Sequence, residues 1–183
     1  MSLLPRVLLL FMLSVTPALG DGGFIIAGVD RILREEQYLI EAHVDYRFSE
    51  TALEALDHGV PLTINLHYRL RRDDAWIWED AVVDRRQLYL IRYLPLTKLY
   101  QVMRLPDGEK QSFVTRDAAI GALGESGRLP LAPKTALEPD EQYNLQIKVS
   151  LDIESLPLPL RPVAYLRPSW KLSSGWTEWP FVP

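Results

Sequence analysis

The sequence predicts a mostly β chain: an antiparallel β-sandwich or strongly curved sheet with one or two short helices and a proline-rich C-terminal strap. Three observations carry that expectation. Long segments alternate apolar and polar residues with a period of two, the pattern of strands that bury one face. The other face of each such strand is polar, as in antiparallel sheets that meet water on one side. Helical periodicity is sparse, leaving too few crossovers for parallel βαβ units. At 183 residues, 48% hydrophobic and 24% charged, the chain has the size and composition of one domain, and zero cysteine excludes disulfide scaffolds and thiolate metal sites.

Residues 1–20 read as a cleavable signal peptide. One positive charge, Arg6, precedes the apolar run 7–15, and Thr16-Pro17-Ala18-Leu19-Gly20 supplies small residues for cleavage after Gly20. The apolar run falls short of the roughly 20 residues a bilayer span needs, and no cysteine follows to carry a lipid. No later window approaches a span, so no transmembrane segment is expected after cleavage. Export without cysteine points to the periplasm of a bacterial envelope. Residues 21–155 are then an antiparallel β domain, and 156–183 a Pro/Trp-rich segment packing on the same domain.

The elements follow in order. Residues 24–33 are a strand candidate. In 38–48, Tyr38, Ile40, Ala42, Val44, Tyr46 and Phe48 share one face, and Glu41, His43, Asp45 and Arg47 the other. Residues 50–58 suit a short helix with Ser49 as N-cap and Gly59 past its end; Leu53, Leu56 and Val60 form a stripe that could close one end of the core. Residues 60–70 alternate again, with Asn65, His67 and Arg69 outward. Residues 76–83 are a weaker strand, and 88–94 are apolar at both parities, as expected of a central strand covered on both sides. Residues 99–105 and 110–115 are joined by Leu105-Pro106-Asp107-Gly108-Glu109, a hairpin turn. Residues 118–123, behind Asp117, suit a second helix. Residues 124–141, with Pro130, Pro133 and Pro139, read as a loop. Residues 143–153 form a third strictly alternating strand, and 156–162 an extended, polyproline-like run.

Candidate sites are few. His43 and His67 lie on polar strand faces; were those strands neighbours in register, they could converge with a carboxylate on zinc or copper, although solvated surface residues are the plainer expectation. His58, at the helix end, complements the helix dipole when protonated. No nucleophile elbow, phosphate loop or dinucleotide motif is present, and Asp73-Asp74 and Glu35-Glu36 fall at turns. The chain is therefore expected not to be an enzyme and to need no cofactor. Its net charge of −4 opposes nucleic-acid binding.

The indoles are the more suggestive feature. Trp76 and Trp78 would share one face of a strand, and Trp170, Trp176 and Trp179 cluster near the C-terminus. Exposed, they could stack on sugars or anchor a protein; buried, they would close an open end of the sandwich, the commoner fate of large aromatics. Strands of about ten residues in an exported chain also admit an outer-membrane barrel, against which stand the long 124–141 connection and the proline-rich end.

The run SLDIESLPLPLRPVAYL at 150–166, followed by Trp170, Leu172-Ser173-Ser174-Gly175-Trp176 and Trp179-Pro180, resembles the proteobacterial family named domain of unknown function 4390. The likeness covers most of the chain after the signal. It implies an exported envelope protein, and a membrane sensor histidine kinase, encoded beside such proteins, as a partner. No catalytic or ligand residues carry over from it. The expected function is thus a non-enzymatic periplasmic binding or accessory protein contacting the extracytoplasmic part of a membrane sensor or another envelope protein. The alternative is an envelope glycan or small-ligand binder using the tryptophans.

Overall fold

The computed structural model describes residues 22–76, 78–106 and 108–183. The expected signal peptide and cleavage after Gly20, and Asp107 of the expected turn, lie outside these. Strands β1 (Gly23–Arg34), β2 (Gln37–Arg47) and β7 (Leu129–Pro133) form a three-stranded sheet in the order β1-β2-β7. Strands β3 (Leu62–Arg72), β4 (Val83–Leu94), β5 (Leu99–Leu105), β6 (Lys110–Phe113), β8 (Tyr143–Leu151) and β9 (Ser173–Phe181) form a six-stranded sheet in the order β6-β5-β4-β3-β8-β9. All pairings are antiparallel. The two sheets make a sandwich and not the closed ring of a barrel, which sets aside the outer-membrane reading.

Alternation decides what lies between the sheets. Ile40, Ala42 and Val44 of β2, Leu62, Ile64, Leu66, Tyr68 and Leu70 of β3, and Leu145, Ile147 and Val149 of β8 join one buried cluster. At one corner Arg31 of β1 lies over the Phe181 ring at 5.3 Å and donates to the Val182 carbonyl, tying the small sheet to the edge of the large one.

Helix α1 (Glu50–Asp57) starts where expected, with Ser49 Oγ accepting from the Ala52 amide at 3.3 Å. Gly59, at φ +86°, ends it: its amide bonds the Leu56 carbonyl and the Val60 amide that of Ala55, a left-handed cap glycine makes without strain. Helix α2 (Arg116–Gly124) is capped by Thr115, not introduced by Asp117; Thr115 Oγ1 accepts from the Ala118 amide at 3.2 Å. Buried Ala52 and Leu56 of α1, and Ala119 and Leu123 of α2, face the core; α1 packs beside β4, and α2 against β2 of the small sheet and β4, β5 and β6 of the large one.

Four expectations are corrected. Residues 76 and 78–82 are not a strand: the Glu79 amide bonds the Trp76 carbonyl at 2.9 Å, a local turn, and pairing starts only at Val83, opposite Leu70. Residues 124–141 contain β7, an edge strand that tolerates Pro130 and Pro133 because an edge needs only half its amides. Residues 156–162 do not stay extended: the Leu160 amide bonds the Pro157 carbonyl at 2.9 Å, and Pro162 sits in the first turn of helix α3 (Arg161–Leu166), where no amide is required. Beyond that helix the C-terminal segment supplies β9, the outer strand of the large sheet. Finally, β4 is covered on one side only. Tyr89 and Ile91 are buried inward, while Leu88 and Leu90 face outward beside Leu105 and Met103 of β5, all half-buried.

Candidate functional site

The outer face of the six-stranded sheet is where unspent chemistry collects. Register puts His67, Lys148 and Trp176 in one row across β3, β8 and β9; Arg69, Gln146 and Glu178 in the next; Arg71, Asn144 and Pro180 in a third. Each is the outward residue of an alternating strand whose inward neighbours fill the core.

Within these rows the contacts are specific. The Arg69 guanidinium lies 3.9 Å from the centre of the Trp176 ring, and the His67 ring meets the same indole edge-on at 4.9 Å. His67 Nε2 is also 2.6 Å from Asp84 Oδ1. The Glu178 carboxylate accepts from both amides at once, Asn144 Nδ2 at 2.9 Å and Gln146 Nε2 at 2.8 Å. This fixes the amides with their nitrogens toward β9 and leaves Asn144 Oδ1 and Gln146 Oε1 without a protein partner. Asn65 Oδ1 and Arg69 Nε on the same face are unpartnered as well. Unpaired polar atoms shielded from bulk solvent are costly.

Beside these rows lies an open cleft of about 310 Å³, lined by Arg69, Arg71, Arg72, Asp73, Asn144 and Gln146. Arg71 Nη2 donates to the Trp76 carbonyl at 2.6 Å, anchoring the loop between β3 and β4 at the cleft's end. In that loop Trp76 and Trp78 stack on each other, centroids 5.4 Å apart and planes 16° off parallel, with 67% and 80% of their surface exposed.

The five tryptophans therefore do not form one cluster. Trp170 is 4% exposed and belongs to the core, in a single 3-10 turn before β9. Trp179 points inward and packs against the core. Trp176 is on the outer face at 38%, and only Trp76 and Trp78 are freely exposed, on a loop and not, as expected, on a strand. The histidines do not converge either. His67 belongs to the large sheet and His43 to the small one, where it sits 2.8 Å from Asp30 and 3.2 Å from Glu125. Among the described residues no group of three or more His, Cys, Asp or Glu stands together to hold a metal. His58 lies at the end of α1, its Nδ1 2.6 Å from the Glu54 carbonyl.

Sequence reading singled out the tryptophans and missed Arg69, Arg71, Asn144, Gln146 and Glu178. The only available signal was their place on polar strand faces; which strands adjoin was not legible.

A second, smaller cavity of about 140 Å³ lies beneath α2, next to Tyr89, Arg104, Glu125 and Ser126. Burial pushes the Tyr89 phenol up to about 12, and its hydroxyl donates to the Ser126 carbonyl at 2.5 Å. Ser126 Oγ accepts from the Ala42 amide at 2.8 Å and donates to the Gly127 carbonyl at 3.0 Å, so this buried hydroxyl is engaged in holding the loop. Among the described residues no helix is long and apolar enough to cross a membrane.

A family model described as a domain of unknown function, DUF4390, matches residues 23–180. No curated protein and no solved structure matches the chain.

Proposed function

We propose, from the premise that this chain belongs to the DUF4390 family, that it is a non-enzymatic binding protein of the bacterial envelope. It is exported by residues 1–20 and works through the outer face of its six-stranded sheet, where it takes an envelope glycan or a small ligand. One observation carries the reading: Trp176, Arg69 and the amides held by Glu178 share the outer face of the large sheet, beside two exposed stacked indoles. Planar aromatics for a sugar's C–H face and fixed amides and guanidiniums for its hydroxyls are the two components saccharide recognition needs. The test is intrinsic fluorescence titrated with solubilised peptidoglycan fragments. A saturable change that is lost in Trp78→Ala and Trp176→Ala is expected, and a flat response in the unaltered chain counts against the proposal.

A protein partner is the second reading, favoured by the half-buried strip of Leu88, Leu90, Met103 and Leu105 on the same face. It could receive the extracytoplasmic part of a membrane sensor histidine kinase, the partner the family resemblance implies. A photo-crosslinking residue at position 90 should then capture a sensor peptide; its absence from the crosslinked material removes this reading.

A further inference from the structure

We infer that the cleft between β3, β8 and the β3–β4 loop takes a carboxylate-bearing oligosaccharide, with Arg69 and Arg71 reading the acid. This rests on the proposed binding face and narrows its ligand class.

The first support is a pair of arginines without a carboxylate partner. Arg47, Arg72, Arg116 and Arg161 each have a carboxylate within 4.0 Å. Among the described residues Arg69 and Arg71 have none: the first lies over the Trp176 ring and the second donates to the Trp76 carbonyl. Arg69 and Arg71, two positions apart on β3, thus point two guanidiniums at one cleft with no ion pair between them and a carboxylate. Asp73 is the carboxylate that lines the cleft, and it makes no ion pair with either arginine; Glu178, nearby on β9, is engaged by two amide donors. An Arg fork matches a carboxylate in two parallel hydrogen bonds.

The second support is the kind of unpaired atom. Asn144 Oδ1 and Gln146 Oε1 can only accept, while Arg69 Nε can only donate. These atoms have almost no accessible surface, so a ligand reaches them only once the side chains shift; a hydroxyl, which both donates and accepts, then satisfies the amides and the guanidinium together. A simple inorganic anion would meet the arginines and leave both amide oxygens unpaired. A neutral sugar would meet the amides and leave the charges unpaired.

The third support is shape. The indoles of Trp76 and Trp78 stand at one end, and the Arg69–Trp176 stack at the other. Along β3 the cleft lining runs from Arg69 to Asp73, about 13 Å at the rise of a strand, longer than a single sugar ring.

The experiment titrates the chain lacking residues 1–20 with tetragalacturonic acid, with maltotetraose as its neutral counterpart, and with inorganic phosphate, read by calorimetry and tryptophan fluorescence. The acid should bind about tenfold or more tightly than the neutral sugar, and more weakly as salt rises. Arg69→Gln and Arg71→Gln should abolish that preference; Arg71→Lys, which keeps the charge, should retain part of it; Asn144→Ala should weaken both sugars. Lys110→Gln, on β6 at the opposite edge of the sheet, should change nothing. Equal affinity for the two sugars overturns the acid assignment and leaves the glycan-binding proposal standing. Phosphate binding as well as the acid reduces the cleft to a simple anion site and overturns it too. No response to any saccharide, peptidoglycan fragments included, takes both proposals down.

Discussion

Arg69 stacks its guanidinium on the Trp176 ring at 3.9 Å, joining β3 to β9 across the intervening β8. The contact turns an outer-strand residue into part of the binding face and shields one side of an indole that is otherwise 38% exposed. A cation over an aromatic face is worth roughly 0.5–1 kcal/mol at exposed sites. Trp176→Ala and Arg69→Ala should each lower stability, and the double variant should lose less than their sum by about that amount. Urea unfolding of the four proteins measures it, and strict additivity would mean that the stack is not energetically coupled.

Ser49 offers a second, independent test. Its hydroxyl caps α1 and donates at 2.6 Å to the Ser169 carbonyl in the turn before β9, and the residue is 1% exposed. Ser49→Ala removes the cap and leaves a carbonyl without its donor. The expected cost is about 1–2 kcal/mol, seen as a lower urea midpoint with an unchanged slope.

What could be read from the chain follows the same physics. Strands β2, β3 and β8 were legible because each separates core from water residue by residue, so composition records the two faces. Strands β7 and β9 were not, because Pro130, Pro133 and Pro180 look like strand breakers unless the strand is known to lie at an edge. The opposite error arose at Trp76 and Trp78, whose aromatic propensity mimics a strand while Arg71 and the Glu79 amide hold a loop. The candidate site was least legible. Asn144, Gln146 and Glu178 meet Arg69 only because β8 lies between β3 and β9, an order fixed by long-range packing and invisible to local pattern.

Two glycines of α2 should respond in opposite directions to the same substitution. A methyl group at Gly124 would stand 2.8 Å from the Val44 carbonyl oxygen, a backbone atom that cannot step aside without moving β2. Gly124→Ala should destabilise by about 1–3 kcal/mol. At Gly121 an added methyl meets nothing within 4 Å, and the residue lies exposed in the helix. Gly121→Ala should stabilise by about 0.5–1 kcal/mol through helix propensity and a less free unfolded chain. Thermal unfolding of both variants decides it; equal shifts would mean that α2 does not press on β2 there.

His43 makes folding depend on pH with a definite sign. The hydrogen bond to Asp30 is the largest influence; burial works against it, and the Glu125 and Asp30 charges add to it, raising the imidazole above its ordinary 6.5. The folded protein therefore binds this proton more tightly than the unfolded chain does. The stabilisation is fully present below 6.5 and is lost as pH rises through the higher folded value. Replacing His43 with Gln removes the titration while leaving the neighbouring carboxylates in place. The stability difference between the unaltered protein and His43→Gln should be larger at about pH 5.5 than at about pH 8.5. With the ring 39% exposed, the effect should also shrink on adding salt. Urea midpoints of the two proteins at the two pH values, each with and without added salt, measure it. A difference that stays constant with pH would show that the ring has no net electrostatic link to Asp30 and Glu125, and a difference that grows with pH would reverse the assigned direction.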